Sequence, residues 1–219
     1  MAQTQTSAAW LRAHTFSRQV VVIPNIRWSD LRPGTTASPD QMPPVDGHLL
    51  LAVGRLGPEK GFDLLIQAFA SLSNRGDWRL VILGEGADRA HLENLASGLP
   101  VALPGTQADL SPWYERADLF VLSSRLEGFP NVLLEGLAAG CPAVSFDCPA
   151  GPADLIQHGI NGELVVAQDV AQLASTLADL MHDPVKRARY ASHATESVSR
   201  YSVEQIMPLW NQLFDGSMS

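Results

Sequence analysis

Two acidic side chains flank a turn in the sequence RLEGFPNVLLEG, residues 125–136. Glu127 precedes Gly-Phe-Pro, and Glu135 follows eight positions later among apolar residues typical of a core helix. A carboxylate accepts two hydrogen bonds at once, so two of them beside a turn could hold a ribose and a hexose. Glu127 has an alternative role as an acid that complements a helix dipole. A purely structural Glu135 is harder to explain, because burying an unpaired carboxylate is costly.

The turn between the two acids is suited to contact with a ligand. Gly128 has no side chain, so it lets a ligand approach the backbone, and Pro130 suits the first position of a helix. We expect the backbone N–H groups of Phe129 and Asn131 to point at a phosphate or sugar oxygen.

Two cations, Arg55 and Lys60, lie in VGRLGPEKG, between an apolar run and a helical pattern. This placement suits a diphosphate, because helix N-termini favour anions and the cations add charge pairing. Two solvated surface charges are the alternative. Gly84 and Gly86 in LGEGADR form half of a dinucleotide fingerprint, with Arg89 in place of the third glycine. An ordinary turn explains this pair nearly as well, although Gly84 lets a ligand approach closely.

The elements that must position these residues alternate in type from His48 onwards. Short apolar runs are separated by segments with helical spacing, which predicts a parallel sheet buried on both faces. The predicted fold is α/β: a doubly wound, Rossmann-like parallel sheet of about six strands with helices on both faces. Ligands bind such sheets at the carboxyl ends of the strands. Four strand-exit loops should therefore border one crevice: residues 54–61, 84–86, 103–106 and 123–131.

The chain divides into three parts by pattern. Residues 1–47 are predicted to be an N-terminal segment and interdomain linker, with a weak helix near Trp10 and a short strand at VVVIPN, residues 20–25. Residues 48–200 form the Rossmann-like domain, and 201–219 a closing helix and tail. Proline and glycine within residues 27–47 exclude a regular element there.

Composition excludes several functional classes. The 219 residues are 46% hydrophobic and 17% charged with a net charge of −8, and no cluster of Lys and Arg predicts nucleic-acid binding. The six histidines and two cysteines have no metal-ligand spacing, and no DxD is present, so we predict no metal site. Cys141 and Cys148 are expected to be reduced, as in a cytoplasmic protein. No apolar run predicts a membrane span, and the first residues lack the layout of a secretion signal.

Residues 54–166 resemble the carboxyl-terminal, donor-binding domain of the GT-B glycosyltransferases of family 4, also called group 1. GRLGPEKG is similar to the family's diphosphate loop, and ADLFVLSSRLEGFPNVLLEGLAAGCPAVSFD to its core signature with an E-x7-E pair. The resemblance implies that Arg55 and Lys60 neutralise the diphosphate of a nucleotide-sugar. It also implies that Glu127 holds the donor sugar and Glu135 the ribose. Further binding positions implied by the resemblance are Gly128, Phe129, Pro130 and Asn131 at the sugar–phosphate turn, and Gly54, Gly84, Glu85, Leu103 and Gly105 around the nucleotide.

The implied function is half of a retaining, metal-independent hexosyltransferase for cell-surface polysaccharide. A UDP-sugar would be its substrate, and no cofactor is implied. A complete enzyme of this family also has an N-terminal acceptor domain, which would act in cis or in trans and could bring peripheral association with the inner face of the cytoplasmic membrane. We expect this chain alone to bind the donor weakly and to transfer poorly. A homodimer, a non-catalytic nucleotide-sugar-binding or regulatory module, and a nucleotide-sugar epimerase remain open alternatives.

Overall fold

The computed structural model describes residues 1–16, 19–27 and 46–216, and it confirms the predicted α/β class. Six parallel strands form one sheet in the order β3-β2-β1-β4-β5-β6. The strands are β1 (His48–Val53), β2 (Trp78–Leu83), β3 (Val101–Gly105), β4 (Leu119–Leu122), β5 (Ala143–Asp147) and β6 (Gly162–Val166).

Helices connect the strands and then close the chain. The helices are α1 (Gln5–His14), α2 (Phe62–Ser71), α3 (Arg89–Leu95), α4 (Ser111–Arg116), α5 (Asn131–Ala138), α6 (Pro152–Leu155), α7 (Val170–His182), α8 (Pro184–Ser197) and α9 (Val203–Phe214). The carboxylates of Asp169 and Asp183 accept hydrogen bonds from backbone N–H groups at the starts of α7 and α8. These caps satisfy N–H groups that have no partner within the helix.

The sheet is covered on both faces, as its continuous apolar strands predict. In β1, Leu50 and Ala52 face a core that includes apolar residues of α2 and α7. Leu49, Leu51 and Val53 face a second core that includes residues of α4 and α5. Successive side chains of a strand point to opposite faces, so every β1 residue from Leu49 onwards is buried.

The strand order places the ends of β1 and β4 side by side. The chain leaves β1 towards β2 and β3 and then returns to β4 on the other side of β1. Such a reversal opens a crevice at the carboxyl ends of the two strands. The loops after β1 and β4 carry Arg55, Lys60 and Glu127, so the topology brings these candidate residues to one edge.

The N-terminal segment contains the predicted helix but not the predicted strand. Within residues 20–25, Val22 forms only one parallel bridge, to Ala2, so the prediction of a strand there is wrong. A ladder needs a longer partner than this segment finds among the described residues. The Asn25 side chain donates to Asn131 Oδ1 at 2.8 Å and so links this segment to α5. Most of the predicted linker lies outside the described residues, and the domain boundaries stay predictions.

Candidate functional site

An ion pair joins the loops that follow β1 and β4. Lys60 Nζ lies 2.6 Å from Glu127 Oε1, and their side chains are only 20% and 7% exposed. Ser124 Oγ donates to the same carboxylate oxygen at 2.6 Å. The structure therefore brings two of the three predicted catalytic residues into direct contact. Glu127 is therefore the partner of a half-buried cation, a role that differs from its alternative as an acid complementing a helix dipole.

A second ion pair joins the loop after β4 to the start of α2, the helix that follows the β1 loop. Arg125 donates to both carboxylate oxygens of Asp63 at 2.8 and 2.7 Å. The hydrogen bond from Arg125 lowers the pKa of Asp63, so this carboxylate stays charged. Ser123 Oγ adds a hydrogen bond of 2.9 Å to the Lys60 carbonyl oxygen. The backbone that carries Lys60 is thus held from the β4 side of the crevice.

Arg55, the third predicted catalytic residue, is placed differently. Its guanidinium pairs with Glu59 at 2.6 Å, and 75% of the Arg55 side chain is exposed. The hydrogen bond from Arg55 lowers the pKa of Glu59. An exposed pair of this kind contributes little to stability, so the cation can exchange its partner for an anionic ligand at little cost.

A cavity of about 300 Å³ opens at the ends of the first three strands. It contains Gly54, Arg55, Gly84 and Glu85, which the sequence predicted, but neither Glu127 nor Glu135 lines it. The stem of Lys60 passes close to Gly54 and so connects the cavity with the ion pair. The complete lining is Val53, Gly54, Arg55, Leu83, Gly84, Glu85, Thr106, Gln107 and Leu110.

The two glycines expected to admit a ligand have different surroundings. Gly84 has φ +140°, and a Cβ added there would lie 1.9 Å from the Gly54 carbonyl oxygen. The absence of a side chain at Gly84 therefore serves the packing of two neighbouring loops, which the ligand-approach interpretation did not anticipate. A Cβ at Gly128 would meet no atom within 4 Å, so the space beside Gly128 is open.

The backbone near the end of β3 is already hydrogen-bonded within the protein. Arg89 donates to the Leu103 carbonyl oxygen at 3.1 Å and to both carboxylate oxygens of Glu85 at 2.6 and 2.8 Å. The Gly105 carbonyl oxygen accepts from the Gly84 N–H at 3.0 Å. Neither Leu103 nor Gly105, which the resemblance places around the nucleotide, lines the cavity; Thr106 and Gln107, which follow in the chain, do so. In the sequence, Arg89 is notable only because it replaces the third glycine of a dinucleotide fingerprint, and its contacts to Leu103 and Glu85 are apparent only in the structure.

The turn before α5 departs from expectation in two details. The Asn131 N–H donates to the Phe129 carbonyl oxygen at 3.0 Å, so the expectation that this N–H is free for a ligand is wrong. Pro130 stands just before the first helical residue, not at it. The Phe129 side chain is buried and packs edge-on against Tyr201, with ring centroids 5.7 Å apart. That packing anchors the turn to the short segment between α8 and α9.

Glu135 has a neighbour that sequence reasoning missed. Tyr114 OH donates to Glu135 Oε2 at 3.2 Å, and Tyr114 is only 4% exposed. Burial raises the pKa of Glu135, and the hydrogen bond from Tyr114 opposes that rise. No spacing in the sequence links the two residues, because they lie on different helices.

The described part of the chain has no cluster of potential metal ligands, and both of its cysteines are unreactive in character. No group of three or more His, Cys, Asp or Glu side chains there is arranged to hold a metal ion. Cys141 and Cys148 are both free and buried. Burial raises the pKa of the Cys148 thiol to about 11, so the thiol form predominates at neutral pH. None of the helices in the described ranges has the length and apolar character needed to cross a membrane.

A family model matches the region of the chain that contains this site. Residues 47–183, more than half of the chain, match the model described as Glycosyl transferases group 1. The chain belongs to the group 1 glycosyltransferases. The candidate residues from Gly54 to Asn131 and Glu135 all fall within the matched region of this glycosyltransferase family.

Curated relatives of this group 1 glycosyltransferase chain include proteins named for surface glycans. An exopolysaccharide phosphotransferase of Streptomyces coelicolor is 35% identical over 96% of the chain and 22% of that protein. A lipopolysaccharide core biosynthesis glycosyltransferase, LpsE of Rhizobium meliloti, is 34% identical over 78% of the chain and 50% of that protein. The chain spans about half the length, or less, of these relatives.

Solved glycosyltransferase structures share the fold. Anabaena HepE in complex with UDP and glucose has a TM-score of 0.83 and 22% identity over 98% of this chain and 62% of that one. A variant of S. aureus TarM, solved with UDP among its ligands, has a TM-score of 0.82 and 22% identity over 97% of this chain and 43% of that one. These structures confirm that the parallel sheet and its helices have the Rossmann-like arrangement of GT-B glycosyltransferases.

Proposed function

We propose that this chain is the donor-binding domain of a retaining, metal-independent glycosyltransferase of cell-surface polysaccharide synthesis. The observation that carries the proposal is the contact of Lys60 with Glu127 across the crevice between the β1 and β4 loops. The proposed donor is a UDP-sugar. Support for this choice comes from the names of the relatives, which concern exopolysaccharide and lipopolysaccharide, and from the UDP in the complexes of similar fold.

The proposed chemistry assigns each charged residue one task. Cleavage of the sugar–phosphate bond places negative charge on the leaving diphosphate. Lys60 and Arg55 would stabilise that charge electrostatically, in the role that a metal ion has in other transferases. Glu127 would hold hydroxyls of the donor sugar, and Glu135 would hold the ribose. The cavity formed by the first three loops, with its apolar Val53, Leu83 and Leu110, would take the base.

The acceptor would bind to a further domain, in cis or in trans, because the chain spans only half the length of a relative such as LpsE. We propose a cytoplasmic location, with any contact to the membrane made through that acceptor domain. Association of two copies of the chain remains compatible with this arrangement.

Calorimetric titration with UDP and UDP-glucose tests the proposal. We expect weak binding by the wild-type chain, with a Kd of about 0.1–1 mM, and a loss of at least about tenfold in Lys60→Met. Arg189→Gln is a matched control, because Arg189 is an exposed cation on α8, outside the site, and its loss should leave the Kd unchanged. A folded wild-type chain that binds neither nucleotide at millimolar concentration would contradict the proposal.

A further inference from the structure

Tyr114 and Glu135 form a contact with an unused acceptor. The tyrosine hydroxyl donates to Glu135 Oε2 at 3.2 Å. Across the part of the chain that the structure describes, no other hydrogen bond to the Glu135 side chain is found, so Oε1 is not occupied by the protein. No side-chain oxygen or nitrogen among the described residues is both buried and unpartnered, so this oxygen is open to solvent and can accept hydrogen bonds from a ligand.

The tyrosine is held in place from three elements. Tyr114 lies on α4, and its ring packs against Phe120 of β4 with centroids 5.8 Å apart and lies beside Gly136 of α5. A Cβ added at Gly136 would lie 3.6 Å from the Tyr114 ring, so the two helices approach closely at this point. The hydroxyl therefore has little freedom to move, and the carboxylate oxygen that accepts from it is fixed as well.

The pair is also connected to the cavity wall. Leu110 lines the cavity, and its carbonyl oxygen accepts from the Tyr114 N–H at 3.1 Å. Residues four apart lie on the same face of a helix, one turn from each other. Tyr114 thus lies one turn behind a residue of the proposed base pocket, with Glu135 in contact with its hydroxyl.

We infer that Tyr114 is a positioning residue of the nucleotide site, which fixes Oε2 of Glu135 so that Oε1 accepts hydrogen bonds from the ribose hydroxyls. This inference rests on the proposed function and adds to it a residue that does not itself touch the ligand. The titratable groups that Tyr114 faces are Glu135 and Cys141, and the Cys141 thiol is buried. No cation of the described residues acts on Glu135, so the tyrosine hydroxyl is the one donor that orients it.

Tyr114→Phe tests the inference when its binding of UDP is compared with its binding of 2′,3′-dideoxy-UDP. We expect the variant to bind UDP about tenfold more weakly than wild type and to bind the dideoxy nucleotide within about twofold of wild type. The reason is that the lost hydroxyl acts only through contacts to the ribose hydroxyls. A merely structural role would weaken both nucleotides equally. The matched control is Tyr190→Phe, which removes the other tyrosine hydroxyl bonded to a glutamate and should leave both affinities unchanged.

A carboxyl carbon NMR titration of the nucleotide-free protein provides a second measurement. Loss of the donor should raise the pKa of Glu135 in Tyr114→Phe relative to wild type. Three outcomes would overturn the inference: equal losses of affinity for the two nucleotides, no loss of affinity for UDP, or an unchanged pKa of Glu135. In each of these cases, binding of UDP by the wild-type chain would still support the proposed function. Failure of wild type to bind UDP would overturn the proposed function and this inference with it.

Discussion

Two glutamates, each hydrogen-bonded to a tyrosine, have opposite surroundings in this molecule. Glu163 on β6 accepts from Tyr190 OH at 2.6 Å and pairs with Lys186 at 2.7 Å. Glu135 on α5 accepts from Tyr114 OH alone among the described residues. The pKa of Glu163 is lowered although burial opposes this, because Lys186 and Tyr190 donate to it. The pKa of Glu135 is raised by burial.

The difference separates a carboxylate that serves the fold from one that can serve a ligand. The charge of Glu163 is balanced within the protein, so its pairing stabilises the folded state. The charge of Glu135 is not balanced, so its presence costs stability unless a ligand provides donors. Glu127 resembles Glu163 in having a cation, but its cation lies in a crevice next to a cavity.

The largest expected effect is on the fold. Lys186→Met should lower the free energy of unfolding by about 2–3 kcal/mol, because it leaves the buried carboxylate of Glu163 without its cation. Urea unfolding measures this loss. The double variant with Glu163→Gln should recover part of it, since the unpaired charge is then removed. A loss below about 0.5 kcal/mol would show that the Glu163 cluster does not differ energetically from the surroundings of Glu135.

The second effect concerns binding. Glu135→Gln should weaken UDP binding about tenfold, because an amide offers one acceptor oxygen in place of a carboxylate's two. The same change should leave the free energy of unfolding at neutral pH unchanged or raise it by up to about 1 kcal/mol, because a poorly compensated charge is removed. Glu163→Gln should do the reverse, with lower stability and unchanged affinity.

The pH dependence of these two variants should also differ in sign. The raised pKa of Glu135 means that its contribution to stability is present below the ordinary value of 4.5 and is lost as pH rises through the folded value. Any stability advantage of Glu135→Gln should therefore shrink as pH falls towards 4. The lowered pKa of Glu163 means that its contribution to stability is present above pH 4.5 and is lost as pH falls through the folded value. The stability of Glu163→Gln relative to wild type should therefore rise as pH falls, whereas that of Glu135→Gln should decline. Urea unfolding of both variants and wild type at pH 7 and pH 4 measures the two trends, and an advantage of Glu135→Gln that grew in acid would contradict them.

The smallest effect extends the contrast to the cations. Arg55→Gln should change the free energy of unfolding by less than about 0.5 kcal/mol, because its pair with Glu59 is exposed. UDP affinity should fall about threefold, since one of two proposed phosphate cations is lost. Calorimetry and urea unfolding of the same preparation give both values. A stability loss as large as that of Lys186→Met would mean that Arg55 serves the fold.

The sheet was predictable because its strands are buried on both faces, which produces short continuous apolar runs. HLLLAV became β1, and every later run that was expected to be a strand became one. Residues 20–25 have a similar apolar character, yet they form one bridge. An apolar run predicts that a segment is buried, but it does not predict whether a partner strand of sufficient length lies beside that segment.

The edge that carries the site was also predictable, since the carboxyl ends of parallel strands meet on one side. Side-chain partners were not. Ser124, Arg89 and Tyr114 have their roles because of directions and distances that sequence spacing between separate elements does not encode. The glycine at position 84 was noticed, but its reason, the carbonyl oxygen of Gly54, is a contact between two loops and therefore a property of the assembled sheet.

The strand order has a consequence for synthesis on the ribosome. A nascent chain that has emerged only through β3 contains Lys60 but not Glu127, which lies 67 residues further along. Until β4 inserts beside β1, the Lys60 ammonium group lacks both its carboxylate partner and the loop after β4 that borders the crevice. The proposed binding of a nucleotide should consequently be incomplete in a chain arrested before β4, although every residue that lines the cavity has been synthesised by then.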